Sequence, residues 1–342
     1  MFCEECGHDL GGAWWESTGN GDRAGVCAAC GSDDIGPEGY CEQCGQRRSA
    51  GPDHSELSMD AVAAVTDRGH RRRRNEDAIA IGERRGAVIA VVCDGVSTSS
   101  RADAAALAAV EAGIRALLDS VGPDGPAAAT AAGARAAQEA VAAVADSGDR
   151  ANAPSCTYVS VVLTDGKVTV GWVGDSRAYW LPDGAGSPDG ASRDTEDTED
   201  DIDSDFDGGD DTGPRCLTVD DSLAGRLAAA GAIDQQAVAA LPAATRHLVR
   251  WLGADSADSN AHVVEFAPDR PGRVVACSDG LSRYRSAAAE LAAATPGTDG
   301  PDGSPLGTAR HLVQLALDAG GDDNIAVAVL RYQPRTTGGA HP

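Results

Sequence analysis

Eight short apolar runs punctuate the chain, at 61–66, 78–81, 86–93, 157–163, 168–173, 262–266, 273–277 and 325–330. Several are rich in β-branched residues and have the length of strands. Four of them abut an aspartate. Asp77 precedes AIAI, Asp94 follows AVIAVVC, Asp279 follows VVACS, and Asp323 precedes NIAVAVL. Two strands therefore run toward their aspartate and two run away from theirs. Paired antiparallel, such strands collect all four carboxylates on one edge of the sheets. Carboxylates crowded at neutral pH need a counter-charge, and hard divalent cations with oxygen ligands supply it. Four acids are too many for a simple acid/base pair and suit a two-metal hydrolytic site. An aspartate that merely caps a turn is common, but four so placed are not explained by turn capping.

Helical patterns lie between the runs. Residues 101–118 put Leu107, Val110, Ile114, Leu117 and Leu118 on one face, with Ser99 or Ser100 as the cap. Residues 126–146 read as an Ala-rich helix, and 221–230 and 243–252 as helices stopped by Gly231 and Gly253. A last helix over 305–319 has Ser304 as cap and Pro305 in its first turn. Strands at both ends and helices in the middle and near the end give an α+β class with largely antiparallel sheets, not a βαβ repeat. Hydrophobic residues make up 42% of the 342 and aromatics only 4%, so the core is one of Ala, Val and Leu.

The net charge of −25 argues against nucleic-acid binding by the body of the protein. No apolar run reaches the roughly 18–20 residues of a membrane span. The opening MFCEECGHDL lacks the basic start and apolar stretch of a secretory leader, so a cytoplasmic location is expected. Residues 183–214 hold thirteen acids and one arginine, and read as a solvated, disordered acidic insertion.

Six of the ten cysteines form three CxxC knuckles in the first 45 residues: Cys3/Cys6, Cys27/Cys30 and Cys41/Cys44. Paired knuckles present four thiolates to one tetrahedral zinc. Cys27, Cys30, Cys41 and Cys44 have the spacing of a compact zinc ribbon; pairing Cys3 and Cys6 with Cys27 and Cys30 is the competing assignment. One structural Zn2+ is the expected cofactor of this module, and its binding would supply the folding energy. The boundaries are a zinc-ribbon-like module over 1–45, a linker over 46–58, a main domain over 59–332 and a disordered tail over 333–342.

The segments of the main domain have a familiar order. TDRGHRRRRNEDAIAI (66–81) resembles the opening motif of the metal-dependent type 2C (PPM) serine/threonine protein phosphatases. VVCDGV (91–96), VGWVGDSRAYWL (170–181), LTVDDSL (217–223), VACSDGL (275–281) and GGDDNIAVAVL (320–330) resemble its later motifs. The resemblance covers about 60–331 and implies an αββα sandwich, two antiparallel sheets flanked by helices. It implies that Asp94 bridges two Mn2+ or Mg2+ ions, with the Gly95 carbonyl beside it. Asp279 and Asp323 would hold the first metal, and Glu76 would act on the second through water. Asp77 matches the acid that orients metal-bound water, and Arg72 the arginine that grips phosphate, with Arg71, Arg73 and Arg74 as rivals. A metal-bridged hydroxide would attack phosphorus directly, with no covalent phosphoenzyme.

Two departures stand out. Ser97 to Ser100 follow Asp94-Gly95-Val96 where the family continues with glycines. Arg283 stands where bacterial members place an acid at a third metal, to which Asp175 would also contribute. Phosphorylated proteins, within a serine/threonine kinase system, are the implied partners. The alternative is a degenerate phosphatase domain that binds phosphoproteins or acts as a scaffold. A third possibility puts the function in the ribbon, as an adaptor.

Overall fold

The computed structural model describes residues 13–16, 53–122, 125–145, 152–164, 166–184, 213–233, 245, 247–298 and 300–334. The six knuckle cysteines, residues 185–212 of the acidic insertion and the tail from 335 lie outside the described residues.

Two six-stranded sheets form the centre. The first runs, in spatial order, β1 (Ala13–Glu16), β4 (Asp77–Arg84), β5 (Ala87–Asp94), β7 (Tyr158–Thr164), β8 (Lys167–Val173) and β12 (His262–Phe266). The second runs β10 (Arg215–Cys216), β9 (Arg177–Pro182), β13 (Gly272–Cys277), β14 (Ile325–Tyr332), β3 (Val62–Asp67) and β2 (His54–Ser58). A small two-stranded ladder joins β6 (Ser155–Cys156) to β11 (Leu252–Gly253). Every pairing is antiparallel.

Side-chain alternation decides the layering. Ile79, Ile81, Ala90, Val92, Val159 and Val161 of the first sheet meet Val62, Ala64, Val274, Ala276, Ala326 and Ala328 of the second. The opposite face of the first sheet, with Ala78, Ala80, Ile89 and Val91, is covered by α1 (Ala102–Ser120) and α2 (Pro126–Val144). Val65, Tyr179, Val275 and Val327 face outward from the second sheet. They are covered by α4 (Asp279–Ser282), α5 (Ala288–Ala294) and α6 (Pro305–Asp318). A shorter helix, α3 (Leu223–Ala229), follows β10 and is capped by the Ser222 hydroxyl, which accepts from Gly225 N. The architecture is the αββα sandwich. Small residues on the inner faces make two sheets with few aromatics pack closely, and Trp172 and Trp180 pack there against His262 and Phe266 of β12.

Three expectations need correction. The helix expected over 243–252 is not there among the described residues; Leu252 and Gly253 are a strand, with Leu252 opposite Cys156. Its apolar spacing is overridden by backbone pairing with β6. Residues 54–58, placed in the linker, are an edge strand on β3. The first helix takes no cap from Ser99 or Ser100. Its first flanking residue is Arg101, in the left-handed region at φ 49°, with no side-chain cap. The Ser99 hydroxyl accepts instead from Ser155 N at 3.2 Å. The Ser304 cap and Pro305 start of α6 are observed.

Candidate active site

The strand register brings the acids together. Asp77, the first residue of β4, stands opposite Asp94, the last residue of β5. In the second sheet, β13 ends at Cys277, two residues before Asp279, and β14 starts two residues after Asp323. Cys277 is paired with Val327, so these ends also coincide. Asp77 feels Asp279 and Asp323, and Asp94 feels Asp77, Asp279, Asp175 and Asp323. The structure thus gathers Asp77, Asp94, Asp175, Asp279 and Asp323 at one edge of the sandwich.

Burial first, with neighbouring carboxylates adding to it, pushes Asp77, Asp94, Asp175 and Asp279 above the ordinary carboxylate range. The Asp77 carboxyl is pushed up to about 8, with a Ser278 hydrogen bond opposing, and Asp175 likewise to about 8. Asp94 rises well above its usual value by burial and the field of Asp77, and Asp279 rises less because Arg283 lies against it. Asp77 Oδ2 is buried with no hydrogen-bond partner. A dehydrated group of hard oxygens, with more carboxyls than the neighbouring arginines can pair, fits a divalent cation.

The backbone around these acids is tightly fixed. Gly69, at φ +74°, comes so close that a Cβ there would lie 2.1 Å from the Asp323 carbonyl oxygen. A Cβ on Gly95 would meet both the Glu76 and Ala102 carbonyl oxygens at 2.7 Å. Gly95 N donates to Glu76 O at 3.0 Å, which locks the two sequence motifs together. Asp94 N donates to Thr157 Oγ1 at 3.1 Å, and that hydroxyl shares a 2.7 Å hydrogen bond with Ser176 Oγ.

Arg72 reaches this edge. Its Nε pairs with Asp323 Oδ1 at 2.6 Å, its Nη2 donates to Asp323 Oδ2 at 2.7 Å, and its Nη1 donates to Ser97 Oγ at 2.9 Å. Two rivals make other pairs: Arg71 with Asp322 at 2.8 Å, and Arg74 with Asp103 at 3.2 Å. Glu76 is mostly covered, with Arg74 3.5 Å away. Arg283 Nη2 donates to Asp279 Oδ2 at 2.5 Å and to Asp323 Oδ2 at 2.8 Å. Among the described residues, no three acid, histidine or cysteine side chains stand ready as a metal cage. Asp279 and Asp323 turn toward guanidinium groups instead.

Sequence reasoning missed Asn324. Its Oδ1 accepts from Glu76 N at 2.9 Å, and its Nδ2 donates to Arg68 O at 2.8 Å and Arg74 O at 2.9 Å. One buried amide thus clamps both ends of the loop that carries Arg72. An asparagine wedged between Asp323 and the strand it begins was the available signal. Ser97, noted only as a departure, proves to be an Arg72 partner.

Residues 66–194 match the family model for protein phosphatase 2C. This is the type 2C phosphatase fold. The serine/threonine phosphatase PstP/Ppp of Mycobacterium tuberculosis is similar at 24% identity and a TM-score of 0.56, over 80% of this chain and 98% of that one. A PstP catalytic domain in complex with two manganese ions is similar at 22% identity and a TM-score of 0.56, over 80% of this chain and 98% of that one. Stp1 from Staphylococcus aureus matches at 18% identity and a TM-score of 0.61, over 82% and 98% of the two chains. No curated protein matches in sequence. No helix among the described residues is long and apolar enough to cross a membrane.

Proposed function

We propose that this chain is a metal-dependent protein serine/threonine phosphatase. The observation that carries the proposal is the convergence of Asp77, Asp94, Asp279 and Asp323 at one sandwich edge, with charge in excess of the arginines beside them. Asp94, the Gly95 carbonyl, Asp279 and Asp323, with Glu76 acting through water, are the groups to hold two Mn2+ or Mg2+ ions; Asp175 is a candidate for a third. Bound there, such ions would neutralise phosphate charge and make water acidic enough to serve as a nucleophile near neutral pH.

The chain's own residues do the rest. Asp77, dehydrated and with one oxygen lacking a partner, would orient the attacking water and take its proton. Arg72 presents a planar fork of the kind that grips phosphate oxygens in two places. Attack is direct, and the serine or threonine oxygen leaves. Burial pushes the Cys93 and Cys277 thiols up, away from the reactive thiolate, so neither is a rival nucleophile.

The natural substrates on this reading are phosphorylated proteins, supplied by a serine/threonine kinase. The structural zinc rests on the spacing of Cys27, Cys30, Cys41 and Cys44 alone, and the zinc stoichiometry of a Cys27→Ser variant tests it. The phosphatase assignment is tested by Mn2+-dependent release of phosphate from an aryl phosphate and from a phosphoprotein, with EDTA as control. Turnover that depends on Mn2+ and stops with EDTA is the expected result. Turnover that survives EDTA rejects it, and a protein that binds Mn2+ without turnover favours the phosphoprotein-binding alternative.

A further inference from the structure

Arg283 lies where the short helix α4 ends. Its backbone N donates to Asp279 O at 3.0 Å, and its side-chain Nε reaches the same oxygen at 3.3 Å. The side chain therefore folds back over its own helix turn, and one nitrogen, Nη2, spans two carboxylates from different strand ends, Asp279 at 2.5 Å and Asp323 at 2.8 Å. Asp323 is also gripped by both Arg72 nitrogens. These are the two acids proposed for the first metal. A cation cannot take both carboxylates while the guanidinium lies between them, because its strongest contacts are with the same oxygens. Arg283 is about one-third exposed, so it has open space to swing into.

We propose that Arg283 is a tethered counter-cation that competes with the divalent ion for Asp279 and Asp323. The inference rests on the phosphatase reading of the acid cluster. The metal-free protein keeps these two acids neutralised from within, and loading the site requires the guanidinium to leave. The chain thereby trades metal affinity for stability of the empty site. A tethered group competes at a fixed effective concentration, so it weakens the apparent metal affinity by a constant factor and is displaced at saturating metal. Lysine is a poor substitute: its ammonium is a compact point charge without the planar fork that lets arginine span two acids.

The test is titration of the metal-free full chain with Mn2+ by calorimetry, with thermal unfolding at zero and saturating Mn2+. Variants are Arg283→Gln and Arg283→Lys. The expected result for Arg283→Gln is a Mn2+ affinity at least tenfold tighter than wild type. Its metal-free melting temperature falls, and its Mn2+-induced rise is larger than that of wild type. Arg283→Lys, which keeps the charge and guards against a folding failure in the first variant, lies between. A purely structural arginine would lower melting with and without metal alike and leave affinity unchanged. Affinity in Arg283→Gln equal to or weaker than wild type overturns the proposal while leaving the phosphatase reading intact. Failure of wild type and both variants to bind Mn2+ at all overturns the two together.

Discussion

Two clusters of aspartate and arginine lie in this sandwich, and their charge balance separates them. In one, Arg177 forks onto Asp220 at 2.8 and 2.7 Å. Beside it Asp221 accepts from Gly174 N at 3.0 Å and from Arg250 at 3.3 Å, with His262 3.1 Å away. Arg250 also pairs with Asp258 at 3.2 Å, so three acids meet two arginines and a histidine, and the pairs fasten the loop before α3 to the strands. In the other, five aspartates meet the two arginines Arg72 and Arg283. The residue types are the same. The paired cluster is a strut, whereas the overloaded one has more carboxyls than arginines and, without an added cation, is pushed toward the protonated form. A surplus of buried like charge lowers stability, and a site that keeps one is built for a ligand.

The largest effect should come from Asp94. Asp94→Asn removes the carboxylate proposed to bridge both metals, and an amide cannot replace it. Mn2+-dependent turnover should fall about a thousandfold or more, since metal charge stabilisation supplies several kcal/mol. The metal-free protein should melt at the same or a higher temperature. A carboxyl held above its ordinary range costs stability at neutral pH, because the unfolded chain ionises freely and the folded chain does not. A variant with near-wild-type turnover would remove the overloaded cluster from the chemistry.

Asp221→Ala is the opposite experiment. Arg250 is 7% exposed at its side chain and Asp221 is 5%. Truncating the acid removes the buried partner of Arg250 and leaves the guanidinium only the half-exposed Asp258 at 3.2 Å and the Asn260 carbonyl, at a cost approaching the about 3–5 kcal/mol of a broken buried pair. Thermal unfolding should drop sharply, with Mn2+ affinity at the remaining folded protein little changed. Lost metal binding without lost stability would erase the distinction between strut and site.

Arg72→Ala sits between these. The metals keep their aspartates, and the lost fork weakens the grip on phosphate by about 1.5–3 kcal/mol, a charge-assisted hydrogen bond's worth. KM should rise, with some loss in kcat if the contact tightens in the transition state. An unchanged KM for aryl phosphate would reassign Arg72 to neutralising Asp323.

The acid edge was legible because the chain places polar residues at the ends of apolar runs, and antiparallel pairing converts that linear fact into a cluster. The sandwich layers followed for the same reason. What lay hidden depends on partners far apart in sequence. Arg72 and Asp323 are 251 positions apart, and nothing near either residue announces the fork. Asn324 reaches back 248 and 256 positions to Glu76 and Arg68. The run before Gly253 had helical spacing, but Leu252 and Gly253 pair with Cys156 and Ser155, and Val249 N donates to Asp221 O. His54–Ser58 is too polar to look like a strand, and only the open edge of β3 makes it one.

That edge strand carries a third, smaller cluster, and it extends the rule to its mildest case. His54 lies between Asp67 at 2.8 Å and Glu56 at 3.2 Å, and Glu56 is also forked by Arg310 at 2.9 and 2.5 Å. Two acids face a histidine and an arginine, so this cluster balances only while His54 is protonated. The hydrogen bonds to Asp67 and Glu56 raise the imidazole from 6.5 to about 9. Below about pH 6.5 both folded and unfolded chains carry the proton, and the full stabilisation is present. As pH rises toward 9 the unfolded chain has lost its proton and the folded chain must give its own up, so the stabilisation drains away. The cluster is partly open to solvent, and screening leaves a contribution of about 1 kcal/mol. His54→Gln should therefore be less stable than wild type at pH 6 by that amount and equal to it near pH 9.5, in chemical unfolding of the full chain. A stability difference that stays constant across this range would mean that His54 holds β2 by packing, and that charge balance is not what makes a strut of this edge.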